Sequence, residues 1–366
     1  MNGRARSKRV TLANVAELAG VSTTAVSLIL SERPDYIGQF NSETVARVRK
    51  SAETLGYRTN LFASGLPIGT SPFFALVIRD LGRFDSRSWH PWAFEGNLVT
   101  GAIEAGNDAG LYPILATISN KPREADLTTI ERLITGGVFG AIVRSPHAPL
   151  ETFLRKELRR GLPILALFPD VLSKWPGNAI SVDNVKIGEL AGQMLAAEDR
   201  KRWGIVKYNA PRMRESHKLR IEGFKRIAAE CGVQVNTNPL PRDLRQATKA
   251  DFDRLESANV DGLFGLDSVL SIDALLACQN IGRQPGEDCS LVGVNCSSWP
   301  SGQQPTISSI DVSWRKAGAV ALRQLSKLAE SDENLCENIY IDPEIALGDT
   351  CPVPDTLDAQ YIAAAK

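Results

Sequence analysis

Histidine is scarce in this chain. Three occur in 366 residues, His90, His147 and His217, at spacings that build no metal site and offer few general bases. Cysteine is absent from the first 230 residues, and the six that follow (Cys231, Cys278, Cys289, Cys296, Cys336 and Cys351) form no C-x-x-C pair. That distribution argues against a disulfide scaffold or a zinc ribbon and fits reduced, partly buried small hydrophobes. No apolar run is long enough for a membrane span or a secretory signal, because the opening MNGRARSKRV is charged and passes directly into a helical pattern. A cytoplasmic protein without a membrane partner is expected. Also missing are G-x-x-x-x-G-K-[ST], G-x-G-x-x-G after a strand, G-x-S-x-G and H-E-x-x-H. No catalytic, metal or cofactor site is expected, and so no enzyme.

The composition is that of an ordinary globular chain, 43% hydrophobic and 23% charged, with room for two or three domains. A formal net charge of zero conceals an asymmetry. Residues 1–66 carry nine Lys or Arg against five acids, a net +4, and the remainder carries −4. A basic head on an acidic body suits a nucleic-acid module joined to a part that does not touch nucleic acid.

In the head, Leu12, Val15, Ala16 and Ala19 share one helical face and Gly20 stops the helix. Ser22 is placed to cap a second helix. On it Ala25, Val26, Ile29 and Leu30 share one side, while Thr23, Thr24, Ser27 and Leu28 share the other. Leu28 is thus an apolar residue expected in the open. Asn41 caps a third helix with Phe40 and Val45 as a hydrophobic staple. Val48, Ala52 and Leu55 line its face and Gly56 ends it. A two-helix corner with a tight Gly-Val-Ser turn can present a recognition helix to the DNA major groove. The same pattern also fits a plain helical cap on a larger protein.

From residue 73 short apolar runs alternate with helical patterns: FFALVI, YPILAT, GAIVRS, PILALF, AISVD, WGIVKY, GLFGL, SLVGV and TISSI. Each fits a buried parallel strand of a βαβ unit. Two such α/β layers imply two lobes with a ligand cleft between them at the carboxyl ends of the strands, although one large α/β enzyme domain would give the same periodicity. Asp80 ends the first strand, where such a cleft would open, and Trp92 and Phe168 are aromatics that core packing can account for. Between head and body, TNLFASGLPIGTSP is a linker punctuated by Gly65, Pro67, Gly69 and Pro72.

VTLANVAELAGVSTTAVSLIL, SETVARVRKSAETLGYRTN and LFASGL together resemble the N-terminal region of the lactose-repressor (LacI/GalR) family of bacterial transcription regulators. The α/β body is similar to that family's effector-binding domain, so the likeness runs over about residues 8 to 350. The resemblance implies an all-α helix-turn-helix head and a two-lobed, periplasmic-binding-protein-like α/β body with parallel sheets. It divides the chain into a DNA-binding domain (1–58), a hinge helix and linker (59–72), an effector-binding and dimerisation domain (73–352) and a tail (353–366). The N-lobe is expected at about 73–170 and 301–330, the C-lobe at about 171–300 and 331–352.

The expected DNA-facing set is Thr11, Ser22, Thr23, Thr24, Ser27, Leu28, Asn60, Ala63 and Leu66. By the resemblance Thr23 and Thr24 read base edges, Asn60 and Ala63 start the hinge helix, and Leu66 is a wedge that bends the duplex from the minor groove. The expected effector set is Arg220 and Asp267, where the family often holds sugar hydroxyls, with Asp80, Trp92 and Phe168 beside them. Expected partners are an operator of double-stranded DNA, a small sugar-like effector and a second copy of the chain. The tail PDTLDAQYIAAAK has no leucine heptads, which favours a dimer over a tetramer. The function implied is a sequence-specific repressor on a palindromic operator, modulated by effector. A binding protein of the same fold without regulated DNA binding, or an α/β enzyme, remains the alternative.

The chain departs from the family pattern at several points. Leu266 stands before Asp267 in place of the common asparagine, and Asn295 and Cys296 replace aspartates after VGV. PRDLRQAT lacks a stacking aromatic, Thr59 replaces a proline, and AVSL ends in Leu28 where many relatives carry an arginine. Gly65 disfavours the hinge helix by roughly 1 kcal/mol relative to alanine, so hinge order is expected to depend on DNA. The loop SERPDYIGQF is long enough to reach the phosphate backbone.

Overall fold

The computed structural model describes residues 10–30, 38–58, 71–80, 89–119, 122–146, 148–208, 213–240, 259–297, 305–331 and 337–352, with backbone alone at 89–93, 208 and 238–240. The chain divides into two compact units, Met1–Pro72 and Phe73–Lys366.

The first unit is built on α1 (Leu12–Ala19), α2 (Thr23–Leu30) and α3 (Ser42–Leu55). Four of these helix ends have a local cause. Thr11 donates its amide and hydroxyl to Asn14 Oδ1 at 3.0 and 2.8 Å. Gly20 ends α1 in the left-handed region at φ 68°, where a side chain would be strained. Ser22 Oγ accepts from the Ala25 amide at 3.1 Å, the expected cap of α2, and Asn41 Oδ1 accepts from the Thr44 amide at 2.8 Å. The chain turns through 103° between α1 and α2. Val15, Val26, Ile29 and Val48 are fully buried in the shared core, each worth about 1.5–3 kcal/mol of apolar burial. Arg47 Nε donates to the Ala19 carbonyl at 2.9 Å and fastens α3 to the end of α1.

Among the described residues the second unit holds two six-stranded sheets. Along the chain come β1 (Phe73–Arg79), α4 (Trp89–Ala109), β2 (Tyr112–Ile118), α5 (Glu124–Thr135), β3 (Ala141–Arg144), α6 (Ala148–Arg159), β4 (Ile164–Leu167) and β5 (Asn178–Val182). Next are α7 (Asn184–Ala197), β6 (Trp203–Tyr208), α8 (Glu215–Glu230), β7 (Val235–Leu240), β8 (Gly262–Gly265), α9 (Ser268–Asn280) and β9 (Ser290–Val294). The described part ends with β10 (Ser308–Val312), α10 (Trp314–Glu330), β11 (Asn338–Ile341) and β12 (Pro343–Ala346). The sheet orders are β11-β5-β4-β3-β1-β2 and β12-β10-β9-β8-β6-β7. All pairs are parallel except β10 with β12. The nine apolar runs read from the sequence are all strands, and β7, β11 and β12 are additional.

The lobe boundaries differ from those expected. The chain crosses between sheets at Asp183, Ser313 and Asp342, because β5 and β11 belong to the first sheet and β10 and β12 to the second. The first lobe therefore extends past 171 to β5 and regains β11 within 331–352, while TISSI lies in the second sheet between β9 and β12. Periodicity hides this, since β4, β5 and β9 are buried along their whole length and look alike.

In each lobe one pair of helices packs at its closest through reciprocal glycines. A Cβ at Gly188 of α7 would overlap the Arg220 carbonyl, and one at Gly223 of α8 would overlap that of Val185. Gly101 of α4 and Gly318 of α10 stand in the same relation to Arg315 and Leu98. These contacts set the approach of α8, which carries Arg220, and of α10, which opens with Trp314. Among the described residues no single helix is long and apolar enough to cross a membrane.

Candidate DNA-reading face and effector cleft

In the first unit, Thr11, Ser22, Thr23 and Thr24 are exposed and Ser27 is half-buried. Leu28, expected in the open, is also half-buried. Five of the eight residues of α2 are aliphatic, so its apolar arc is wider than one face and takes in part of Leu28. The apolar side chain that does stand out is Leu18, 52% exposed on α1. No charged residue lies on α2, whereas Arg47, Arg49 and Lys50 are exposed on α3 and Arg58 follows it. An uncharged helix face bearing hydroxyls beside a basic helix can meet base edges while cations meet phosphates. Asn60, Ala63 and Leu66 lie outside the described residues, as does most of the SERPDYIGQF loop.

In the second unit a cavity of about 1290 Å³ opens where strands from both sheets end. Arg79 ends β1 and Asp80 follows it, Arg144 ends β3 and Ser145 follows it, and Phe168 follows β4. The second lobe contributes Arg214, His217 and Arg220 from the start of α8, Asp267 after β8 and Asn295 after β9. Ligands of open α/β sheets bind at these carboxyl ends. Of the expected effector residues the structure brings together Arg220, Asp267, Asp80 and Phe168. Trp92 lies in the first turn of α4, and its side chain is outside the described residues.

Three residues at this rim adopt left-handed backbone: Ser145 at φ 45°, Phe168 at φ 49° and Asn295 at φ 56°. Such conformations cost of order 1–3 kcal/mol each and persist where the surroundings over-determine them. Here the Ser145 amide donates to the Leu167 carbonyl at 2.7 Å, its hydroxyl to the Phe168 carbonyl at 3.0 Å, and the Phe168 amide to the Ile180 carbonyl at 2.7 Å. Asn295 Oδ1 accepts from the Val312 amide at 2.8 Å.

Arg220 is buried, not a surface ion pair. Its Nε donates to Asn184 Oδ1 at 2.9 Å and its Nη1 to the Leu266 carbonyl at 2.5 Å. Burial lowers its guanidinium to about 10 against the opposing pull of Asp267. Asp267 caps α9 through the Leu270 amide at 2.9 Å, and its second oxygen lies 3.3 Å from His217 Nε2. Burial pushes this carboxyl up, but His217, the Leu270 amide and Arg214 together outweigh that and hold it below its ordinary value.

Sequence reading missed the first-lobe wall. Arg144 Nε lies 3.6 Å from Glu95 Oε1, and its Nη1 donates to Ser145 Oγ. The guanidinium sits 4.8 Å from the ring centre of Trp314 and 5.2 Å from that of Phe168. Phe94 stacks on Trp314 with ring centres 5.4 Å apart. Burial lowers Arg144 to about 10 and raises Glu95. The available signal was Arg144 itself, a cation ending the apolar run GAIVRS. Glu95 and Trp314 carried none. Among the described residues no cluster of three His, Cys, Asp or Glu side chains could hold a metal.

Residues 11–60 match the family of bacterial regulatory proteins of the lacI type, and residues 193–351 match the periplasmic binding protein-like domain. The maltose regulon regulatory protein MalI of Vibrio furnissii is 36% identical over 134 residues, 36% of this chain and 88% of that protein. The transcriptional regulator DegA of Bacillus subtilis (strain 168) is 20% identical over 344 residues, 93% of this chain and 97% of its own. The fold is similar to that of the lac repressor dimer bound to operator and the anti-inducer ONPF, with a TM-score of 0.74 at 19% identity, covering 94% of this chain and all of that one. The head, the two-lobed body and these matches agree: the chain belongs to the lacI family of bacterial regulatory proteins.

Proposed function

We propose that this protein is a transcriptional repressor that binds a palindromic operator as a homodimer and carries no enzymatic activity. Residues 1–58 are the DNA-binding domain, residues 59–72 the hinge and linker, and residues 73–352 the effector-binding and dimerising body. In this reading Thr23 and Thr24 meet base edges in the major groove. Thr11, Ser22 and Ser27 fix the docking of α2, and Leu28 presses on a thymine methyl. Asn60 and Ala63 open the hinge helix and Leu66 wedges a central base step. Arg220, Asp267, Asp80, Trp92 and Phe168 serve the effector, and its binding shifts the lobes and hence operator affinity by linkage. A protein acting on the chromosome works in the cytoplasm of a bacterium.

The observation that carries the reading is the α1–α2 corner, capped by Ser22 and exposing Thr23 and Thr24 on a helix without charge. It lies within the segment that matches the family of regulatory proteins. Selection of bound duplexes from a random library by the full chain tests it. An inverted repeat with two equal half-sites is expected, and an asymmetric motif or no enrichment would contradict it.

A further inference from the structure

Two buried thiols meet in the second lobe, at the end remote from the cleft. Cys278 lies in the last turn of α9 and Cys289 immediately precedes β9, and both are fully buried in that lobe's apolar core. The connection between them folds back on each. The Arg283 amide donates to the Cys278 carbonyl at 2.9 Å, the Gly286 amide to the Cys289 carbonyl at 2.7 Å, and the Gln284 amide to Asp288 Oδ1 at 3.0 Å. The Arg283 guanidinium holds the same turn by donating to the Val260 and Asp288 carbonyls. With both ends of the loop fastened, the Cys278 thiol donates a hydrogen bond to the Cys289 sulfur.

That bond gives the two sulfurs different characters. It holds the Cys289 thiol below its ordinary value against burial, and together with burial it raises Cys278. The cover over the pair is thin, since Gln279 and Asn280 directly follow Cys278, Glu287 and Asp288 directly precede Cys289, and all four are exposed. A small oxidant needs only this short loop to lift. Other buried thiols of the lobe are bonded to backbone instead. Cys296 Sγ donates to the Val294 carbonyl at 3.6 Å and Cys351 Sγ to that of Met194 at 3.9 Å, and burial pushes both thiols up.

We propose that Cys278 and Cys289 are a redox-active dithiol, a modification site that hydrogen peroxide converts to an intramolecular disulfide. The Cys289 thiolate attacks one peroxide oxygen, the O–O bond breaks, and the released hydroxide takes up the proton that Cys289 gave up and leaves as water. The sulfur is then a sulfenic acid. The Cys278 sulfur attacks it and gives its proton to the departing hydroxide, so that the S–S bond forms and a second water leaves. Two thiols have lost two electrons, and one peroxide has become two waters. A dithiol reductant reverses the change. The bond ties the end of α9 to the start of β9, elements whose other ends present Asp267 and Asn295 to the cleft.

Thiol mapping of the full chain tests this. Reduced protein, freed of reductant, is exposed to hydrogen peroxide, the remaining thiols are alkylated under denaturing conditions, and the products are read by mass spectrometry. The proposal expects two of the six cysteines to lose alkylation together, in a peptide pair joining Cys278 to Cys289 that dithiothreitol separates, with the chain remaining uncrosslinked to its neighbours. Cys278→Ala and Cys289→Ala, each checked for folding by circular dichroism, should each abolish the pair, whereas Cys231→Ser, at an exposed position, should leave it in place. Full alkylation of Cys278 and Cys289 after peroxide treatment, oxidation confined to the other cysteines, or crosslinks between chains in place of the internal pair would overturn the proposal. The peptide map of the unsubstituted chain decides even where a variant fails to fold. Neither operator nor effector enters the readout, so the regulator reading stands or falls separately.

Discussion

His217 Nε2 lies 3.3 Å from Asp267 Oδ2, on a carboxylate whose other oxygen caps α9 through the Leu270 amide at 2.9 Å. One side chain thus joins the start of α8 to the start of α9. Because the folded state holds this carboxyl below its ordinary value, its stabilisation is present above the unfolded value near pH 4 and is lost as pH falls through the folded one. Asp267→Asn keeps the cap, since asparagine caps as well as aspartate, but removes the charge. A melting curve measured from pH 7 to pH 3 should be lower for the variant at pH 7 and shallower on its acid limb. Parallel limbs would show that the charge plays no part.

Gly223→Ala tests the helix contact that positions Arg220. The added methyl meets the Val185 carbonyl, a backbone group that yields only if α7 and α8 move apart. A destabilisation of about 1–3 kcal/mol is expected from overpacking, measured by denaturant titration. Ligand affinity should fall with it, and an unchanged stability would mean that the helices part at no cost.

Ser22→Ala removes the acceptor for the Ala25 amide and should cost the head about 1 kcal/mol. Ser22→Asp should restore most of this stability while placing a negative charge at the DNA-facing helix terminus. The two variants separate capping from DNA contact. Melting of the head should recover in the aspartate variant and operator affinity should not.

Leu28→Arg should shift base preference toward guanine at one position in each half-site, because an arginine can hold guanine by two hydrogen bonds and a leucine cannot. Library selection with both proteins checks it. Identical selected sites would confine Leu28 to packing, a role its half-buried setting already shares in.

The head was legible because its signals are local. Ser22, Asn41, Gly20 and Gly56 each act on a backbone within a few residues. The central strands were legible for the same reason, since a run such as SLVGV is buried throughout. Sheet membership was not, because β5 and β10 are both five-residue strands buried over all or nearly all of their length, and the partner each finds is set by crossovers at Asp183, Ser313 and Asp342. In the cleft, Arg220 and Asp267 were reached through resemblance alone. The wall opposite them joins Glu95 of α4, Arg144 of β3 and Trp314 of α10, residues far apart in the chain that only the folded first lobe brings together.

Leu66→Ala tests the hinge carried over from the family. Operator affinity should fall about tenfold or more while binding to unrelated duplex hardly changes, because a wedge acts only where a base step opens. Equal losses on both duplexes would remove the wedge from the account.

The most direct test of the central claim is fluorescence anisotropy of the full chain on its selected inverted repeat and on a scrambled duplex of the same composition, titrated from 50 to about 200 mM salt. The account predicts that both affinities fall with salt through phosphate contacts, while the inverted repeat stays about a thousandfold or more tighter throughout. Equal affinities for the two duplexes across the salt range would contradict it.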